Sequence, residues 1–126
     1  MATNTLIFMQ NKDDSFTGIS VDRCGQIEDG VGELLHNYYV TFSEVKELIE
    51  QGDAVFVNET VEDSKFYMRD KDEEFHCFEA DTEDDVNSIV YNEDVELAYL
   101  FKNKTWYFGE PTSSGDVEWE ELENMF

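Results

Sequence analysis

Between Asp72 and Glu96 the chain carries eleven carboxylates and no lysine or arginine: Asp72, Glu73, Glu74, Glu79, Asp81, Glu83, Asp84, Asp85, Glu93, Asp94 and Glu96. Asp70 stands just ahead of them, behind Arg69. Phe75, Phe78, Val86, Ile89, Val90, Tyr91 and Val95 are interleaved, so this is not a plain acidic tail. A charge run without apolar residues would read as disordered. Here the apolar positions can anchor the backbone to a core while the carboxylates form a fixed array. Carboxylates at alternate strand positions recur about every 6.6–6.8 Å, and those at i, i+4 of a helix about every 6 Å. A DNA strand carries one phosphate per ~3.4 Å of axis, with a longer through-space spacing because the backbone winds. Rows built from Asp70, Asp72 and Glu74, with Glu73 beside them, are therefore candidate phosphate surrogates. So are rows from Glu79, Asp81 and Glu83, next to Asp84 and Asp85 and flanked by Glu93, Asp94 and Glu96. The competing reading is a solvated acidic face that serves solubility.

Other chemistries fit less well. Asp70, Asp72 and Glu74 alternate as in a calcium loop, but Phe75 stands where such a loop needs glycine, and Asp81 where it needs a bidentate glutamate. Cys24, Cys77, His36 and His76 form no Cys-x-x-Cys or His-x-x-x-His pair. His76 and Cys77 are neighbours, which on a strand point to opposite faces. Neither a glycine-rich phosphate loop nor a Ser/His/Asp pattern occurs, and among 31 acidic residues carboxylate pairs arise by chance. No catalytic residue, metal or cofactor is therefore assigned, and the expectation is a protein that is not an enzyme.

The 8 basic and 31 acidic residues leave a formal net charge of −23 on 126 residues. Solubility alone asks for a magnitude of roughly 2–8, and self-repulsion at this density opposes compaction. The field disfavours nucleic acid and anionic membrane as direct partners and favours the basic groove of a nucleic-acid-binding protein. Two cysteines make no disulfide framework, the opening MATNTLIFMQNKDD has no basic leader, and no run approaches the ~20 apolar residues of a membrane span. The expected setting is cytoplasmic.

The elements that must hold these residues read as follows. Thr5–Met9 and Phe16–Val21 suggest an antiparallel hairpin across a polar turn. Val31, Leu34, Leu35 and Tyr38 form a helical stripe within 30–39. Thr41 and Glu44 form a capping box for a second helix with Val45, Leu48 and Ile49 inward, stopped by Gly52. The two helices are expected to pack as a hairpin. Strands are expected at Ala54–Val57, Lys65–Arg69 and Glu74–Glu79, and a helix capped by Thr82 with Val86, Ile89 and Val90 inward. Leu97–Phe101 and Thr105–Phe108 form the clearest hairpin. The sum is one α+β domain over residues 1–110, a small antiparallel sheet with two or three helices packed on it. Residues 111–126 then read as a linker and an acidic amphipathic C-terminal segment. Its Trp119, Leu122 and Phe126 are candidate hydrophobic anchors, either for this domain or for a partner's groove.

Several segments together resemble a family of small acidic proteins of tailed bacteriophages to which no activity is assigned. They are 11–18 (NKDDSFTG), 30–39 (GVGELLHNYY), 45–53 (VKELIEQGD), 67–73 (YMRDKDE) and 99–107 (YLFKNKTWY). The family's Trp-Asp-Gly-Tyr-Pro-like turn is replaced by RCGQIED at 23–29. The resemblance implies phage origin and a shared fold. Joined to the charge, it gives the expectation of a phage-encoded inhibitor of a host defence enzyme, of restriction or CRISPR nuclease type, acting by nucleic-acid mimicry in the host cytoplasm. The alternative is a non-mimic protein that docks on a host factor through aromatics and the C-terminal segment. A homodimer would double the length of a phosphate-like track.

Overall fold

A computed structural model of the chain describes residues 5–23, 26–28 and 30–126. Cys24 lies outside the described residues. The first hairpin forms as expected, β1 (Thr5–Gln10) antiparallel to β2 (Phe16–Val21). Its turn is tied by Asn11 Nδ2, which donates to Ser15 Oγ and Thr17 Oγ1. Helix α1 (Val31–Tyr38) and helix α2 (Phe42–Ile49) follow. The capping box is present: Thr41 Oγ1 accepts from the Glu44 N–H at 3.2 Å and Glu44 Oε1 accepts from the Thr41 N–H at 3.1 Å. Gly52, at φ +81°, ends the turn after α2. Next come β3 (Ala54–Phe56), β4 (Lys65–Phe66), α3 (Tyr67–Lys71), β5 (Phe78–Ala80) and α4 (Glu83–Asn92). The chain closes with β6 (Leu97–Lys102), β7 (Thr105–Pro111), β8 (Val117–Glu121) and a 3-10 turn over Leu122–Met125.

The fold is α+β, and among the described residues it has eight strands and four α-helices. The sheet is not the small antiparallel one the sequence suggested. Its order is β4-β3-β2-β1-β6-β7-β8, with β5 beside β2 as well. Two pairings are parallel, β1 with β6 from Thr5↔Leu97 to Met9↔Phe101, and β2 with β3 at Val21↔Ala54. The reason lies in β1, whose Leu6, Ile7, Phe8 and Met9 are all essentially inaccessible. An unbroken apolar run suits a strand covered on both faces.

One face of the sheet packs Ile7, Met9, Ile19, Val21, Tyr99 and Trp106 against Val31 and Leu35 of α1 and Val45, Leu48 and Ile49 of α2. The helices each lie on the sheet, α2 against β1 and β2 and α1 against β7, rather than chiefly on one another. The other face packs Leu6, Phe8, Ala98 and Leu100 against Val86 and Val90 of α4. Gly18 lies directly across from Phe8, and a Cβ there would sit 2.5 Å from the ring.

Three local expectations change. Tyr67, expected within a strand over Lys65–Arg69, opens α3 instead, because the Asp70 carboxylate reaches back to the Phe66 N–H at 2.8 Å. The strand expected over Glu74–Glu79 is confined to Phe78–Ala80. Val117–Glu121, read as part of an acidic amphipathic C-terminal segment after a linker, pairs antiparallel with β7 as the edge strand. The boundary drawn between residues 110 and 111 thus falls inside β7.

Candidate functional site

The outer edge of β2 organises the acidic stretch. Its lower half pairs with β5, at Phe16↔Ala80, Thr17↔Glu79 and Gly18↔Phe78, and its upper end with β3 at Val21↔Ala54. Ser20 falls between the two, and its outward N–H meets no strand. Asp53 fills the gap. Its Oδ1 accepts from the Ser20 N–H at 3.0 Å, Oδ2 lies 2.6 Å from His76 Nδ1, and its own N–H donates to the His76 carbonyl at 3.1 Å. The Asp53 carbonyl in turn accepts from the Tyr67 N–H, and the Tyr67 hydroxyl donates to Asp22 Oδ2.

These residues wall an open groove of about 610 Å³, lined by Ser20, Asp22, Asp53, Tyr67, Asp72, Glu73, Glu74 and His76. Burial, and then the Asp53 charge, push the Asp22 carboxyl above the ordinary carboxylate value, while Lys71 and Arg23 pull the other way. The groove is anionic, and a cation is what it can receive. An Asp–His pair could serve acid–base chemistry, but Asp53 here uses both oxygens and its backbone N–H to stitch three segments together.

Of the residues expected from sequence, Asp72, Glu73 and Glu74 face this groove. Asp70 lies just outside, held by Arg69 at 2.9 Å and then by the Phe66 N–H, contacts that draw its carboxyl below the usual range. Glu79 projects from β5 and Asp81 follows it, both exposed. Glu83, Asp84 and Asp85 form the first turn of α4, where the helix dipole favours carboxylates. Thr82 Oγ1 caps that turn by accepting from the Asp85 N–H, and Glu83 pairs with Lys102 at 3.4 Å. Asp72 to Glu74 thus lie by Ser20 at the β2 edge, Glu79 stands opposite Thr17 of β2, and Asp81 leads to the acids at the start of α4. Glu93, Asp94 and Glu96 do not join them: they lie past the far end of α4, about 15 Å of helix away.

Asp22, Asp53, Tyr67 and His76 were not singled out as site-formers from sequence. Only the crossing of β2, β3 and the 72–77 segment brings them together, and spacing along the chain carries no trace of it. His76 stacks edge-on to Phe78 with centroids 4.8 Å apart, while Cys77 turns to the other side and packs on the α1–α2 core. Burial raises the Cys77 thiol, and Glu79 and Asp53 add to that, so the thiolate is disfavoured. Among the described residues no cluster of three or more His, Cys, Asp or Glu side chains could hold a metal ion.

At the C-terminus Leu122 is fully buried, and Trp119 is half-buried with its indole N–H donating to Asn87 Oδ1 at 2.8 Å. Phe126 stacks on His36 at 4.8 Å and remains 51% exposed, which leaves its outer face open. No helix among the described residues is long and apolar enough to cross a membrane.

No family model, curated protein or solved structure matches this chain. Its function has to be argued from the geometry.

Proposed function

We propose that this chain is a phage-encoded inhibitor that occupies the basic nucleic-acid groove of a host defence enzyme, of restriction or CRISPR nuclease type, and does no chemistry itself. One observation carries the reading. Of the nine carboxylates from Asp70 to Asp85, only Asp70 and Glu83 have a cationic partner among the described residues; Glu79 projects from β5, Asp84 and Asp85 from α4, and Asp72 to Glu74 from the connection between α3 and β5. Glu74 to Asp81 covers seven residue steps, with strand at Phe78–Ala80, and spans at most about 23 Å, close to the axial length of seven base-pair steps at ~3.4 Å. An anionic row of up to that length is what a Lys- and Arg-lined groove accepts in place of phosphate. The phage setting rests on the sequence resemblance and the cytoplasmic location on that setting. A homodimer would extend the row.

The test is capture from bacterial lysate on the immobilised chain at low salt, followed by elution with a salt gradient and then with duplex DNA. Nucleic-acid-binding proteins released by both support mimicry. They should be lost with the variant E79Q/D81N/D84N/D85N, whose changes leave every described ion pair intact. A second reading has its own observation: Phe126 and Met125 leave an exposed apolar tip at the C-terminus. Docking on a host factor through that tip predicts capture that ignores salt and DNA and disappears with Phe126→Ala.

A further inference from the structure

β8 is an edge strand with a fixed polarity. The Thr112 N–H donates to the Asp116 carbonyl at 2.7 Å, which sets the alternation of the hairpin. Glu118 and Glu120 therefore bond back to β7 opposite Glu110 and Phe108, and the main-chain groups of Val117, Trp119 and Glu121 face outward. No described backbone group pairs with that outward row. Trp119 and Val117 turn their side chains to the α4 face, where they pack. Glu118 and Glu120 turn theirs to the opposite face, above a groove of about 350 Å³ lined by Phe108, Glu110, Glu118, Glu120 and Met125. Glu110 and Glu118 are direct cross-strand neighbours, an arrangement of like charges that destabilises a sheet unless a cation lies near.

We propose that β8 is an acceptor for strand addition by an extended segment of a partner protein carrying Lys or Arg at alternate positions. The outward N–H and C=O groups of Val117, Trp119 and Glu121 supply the ladder. Two basic side chains at i and i+2 of the incoming strand reach Glu118 and Glu120. Their aliphatic stems cover Phe108 and Met125 while their charges separate Glu110 from Glu118. In strand addition the main chain provides affinity and alternate side chains provide specificity. A second copy of this chain is not the occupant, because edge-to-edge pairing sets the Glu118–Glu121 acids of both copies against each other. This surface is separate from the β2 edge and does not depend on the reading of that edge.

The test uses the intact chain and a seven-residue peptide with lysine at alternate positions and threonine or valine between. A second peptide of identical sequence carries backbone N-methyl groups on the strand-facing amides, so it keeps every charge and loses the ladder. Amide hydrogen exchange is expected to slow at Val117, Trp119 and Glu121 with the first peptide and to be unchanged with the second. The isosteric variant E118Q/E120Q, on the solvent face, is expected to bind the first peptide about tenfold more weakly, the size of effect that two partly exposed charge pairs give. Three results overturn the proposal: equal binding of both peptides, binding without protection of those three amides, or their protection by a second copy as protein concentration rises.

Discussion

Asp53 holds Ser20 at the one point on the outer edge of β2 where neither β3 nor β5 reaches. A single carboxylate closes a break in the ladder and at the same time fixes His76 and the acidic segment that follows α3. Removing it takes the acceptor from a half-buried donor at the groove wall, at about 0.5–1.5 kcal/mol. Asp53→Ala is expected to lose stability in that range by urea denaturation. Asp53→Asn, which keeps an acceptor for Ser20, should recover most of it. His76→Ala should cost less than about 1 kcal/mol, because the ring side chain is 56% exposed. Equal losses for His76→Ala and Asp53→Ala would show that the histidine, not the carboxylate, is the bracket.

The raised carboxyl of Asp22 gives a pH dependence with a definite sign. Its folded value lies above the ordinary carboxylate value of the unfolded chain, so the native state holds the proton more tightly. The stabilising contribution is complete below that value and is lost as pH rises through the folded one. Asp22→Asn removes the ionised form while keeping an acceptor for the Tyr67 hydroxyl. It should stabilise the protein at pH 7, by under about 1 kcal/mol given the solvent screening, and the gain should vanish near pH 3. Thermal melts of both proteins across that range decide it.

Gly18 is present because the Phe8 ring lies over it. Gly18→Ala is expected to cost about 1–3 kcal/mol through overpacking. Phe8→Leu, harmful alone, should restore part of that loss in the double variant. A double-mutant cycle with no coupling would remove the Phe8 contact as the explanation.

Net charge sets the response to salt. Between 0.01 M and 1 M salt the screening length falls from about 30 Å to about 3 Å, and 31 acidic residues face 8 basic ones. Tm should rise across that range, a relief of about 1 kcal/mol moving it by about 4 °C in a chain of this length. The variant E79Q/D81N/D84N/D85N should show a smaller rise. A Tm independent of salt would mean that self-repulsion contributes little to the folded state.

Local signals in the sequence served well where one contact decides the outcome. Thr41 with Glu44, Thr82 before its three acids, and the hairpin of Leu97–Phe101 with Thr105–Phe108 all form as expected. The signals failed where a distant segment decides. Nothing near Thr5 shows that its strand pairs in parallel with Leu97, and nothing near Asp53 shows that Ser20 will need an acceptor. Trp119, Leu122 and Phe126 fit a helical spacing, yet pairing with β7 draws the first of them into a strand. The acidic row from Asp70 to Asp85 was visible as a run of charges, but its separation from Glu93–Glu96 depends on the direction of α4.

The parallel pairing of β1 with β6 also constrains the order in which the molecule can assemble. The central strand of the sheet is made long before its parallel neighbour, which ends at Lys102. Loop closure over so many residues is slow, and contacts of high sequence separation lower folding rates. A nascent chain halted before residue 97 presents Leu6 to Met9 with one long edge unpaired, an invitation to aggregation. Synthesis must run from β1 through β6 before the middle of the sheet can close, so a premature stop before residue 97 is expected to yield insoluble protein rather than a smaller working one.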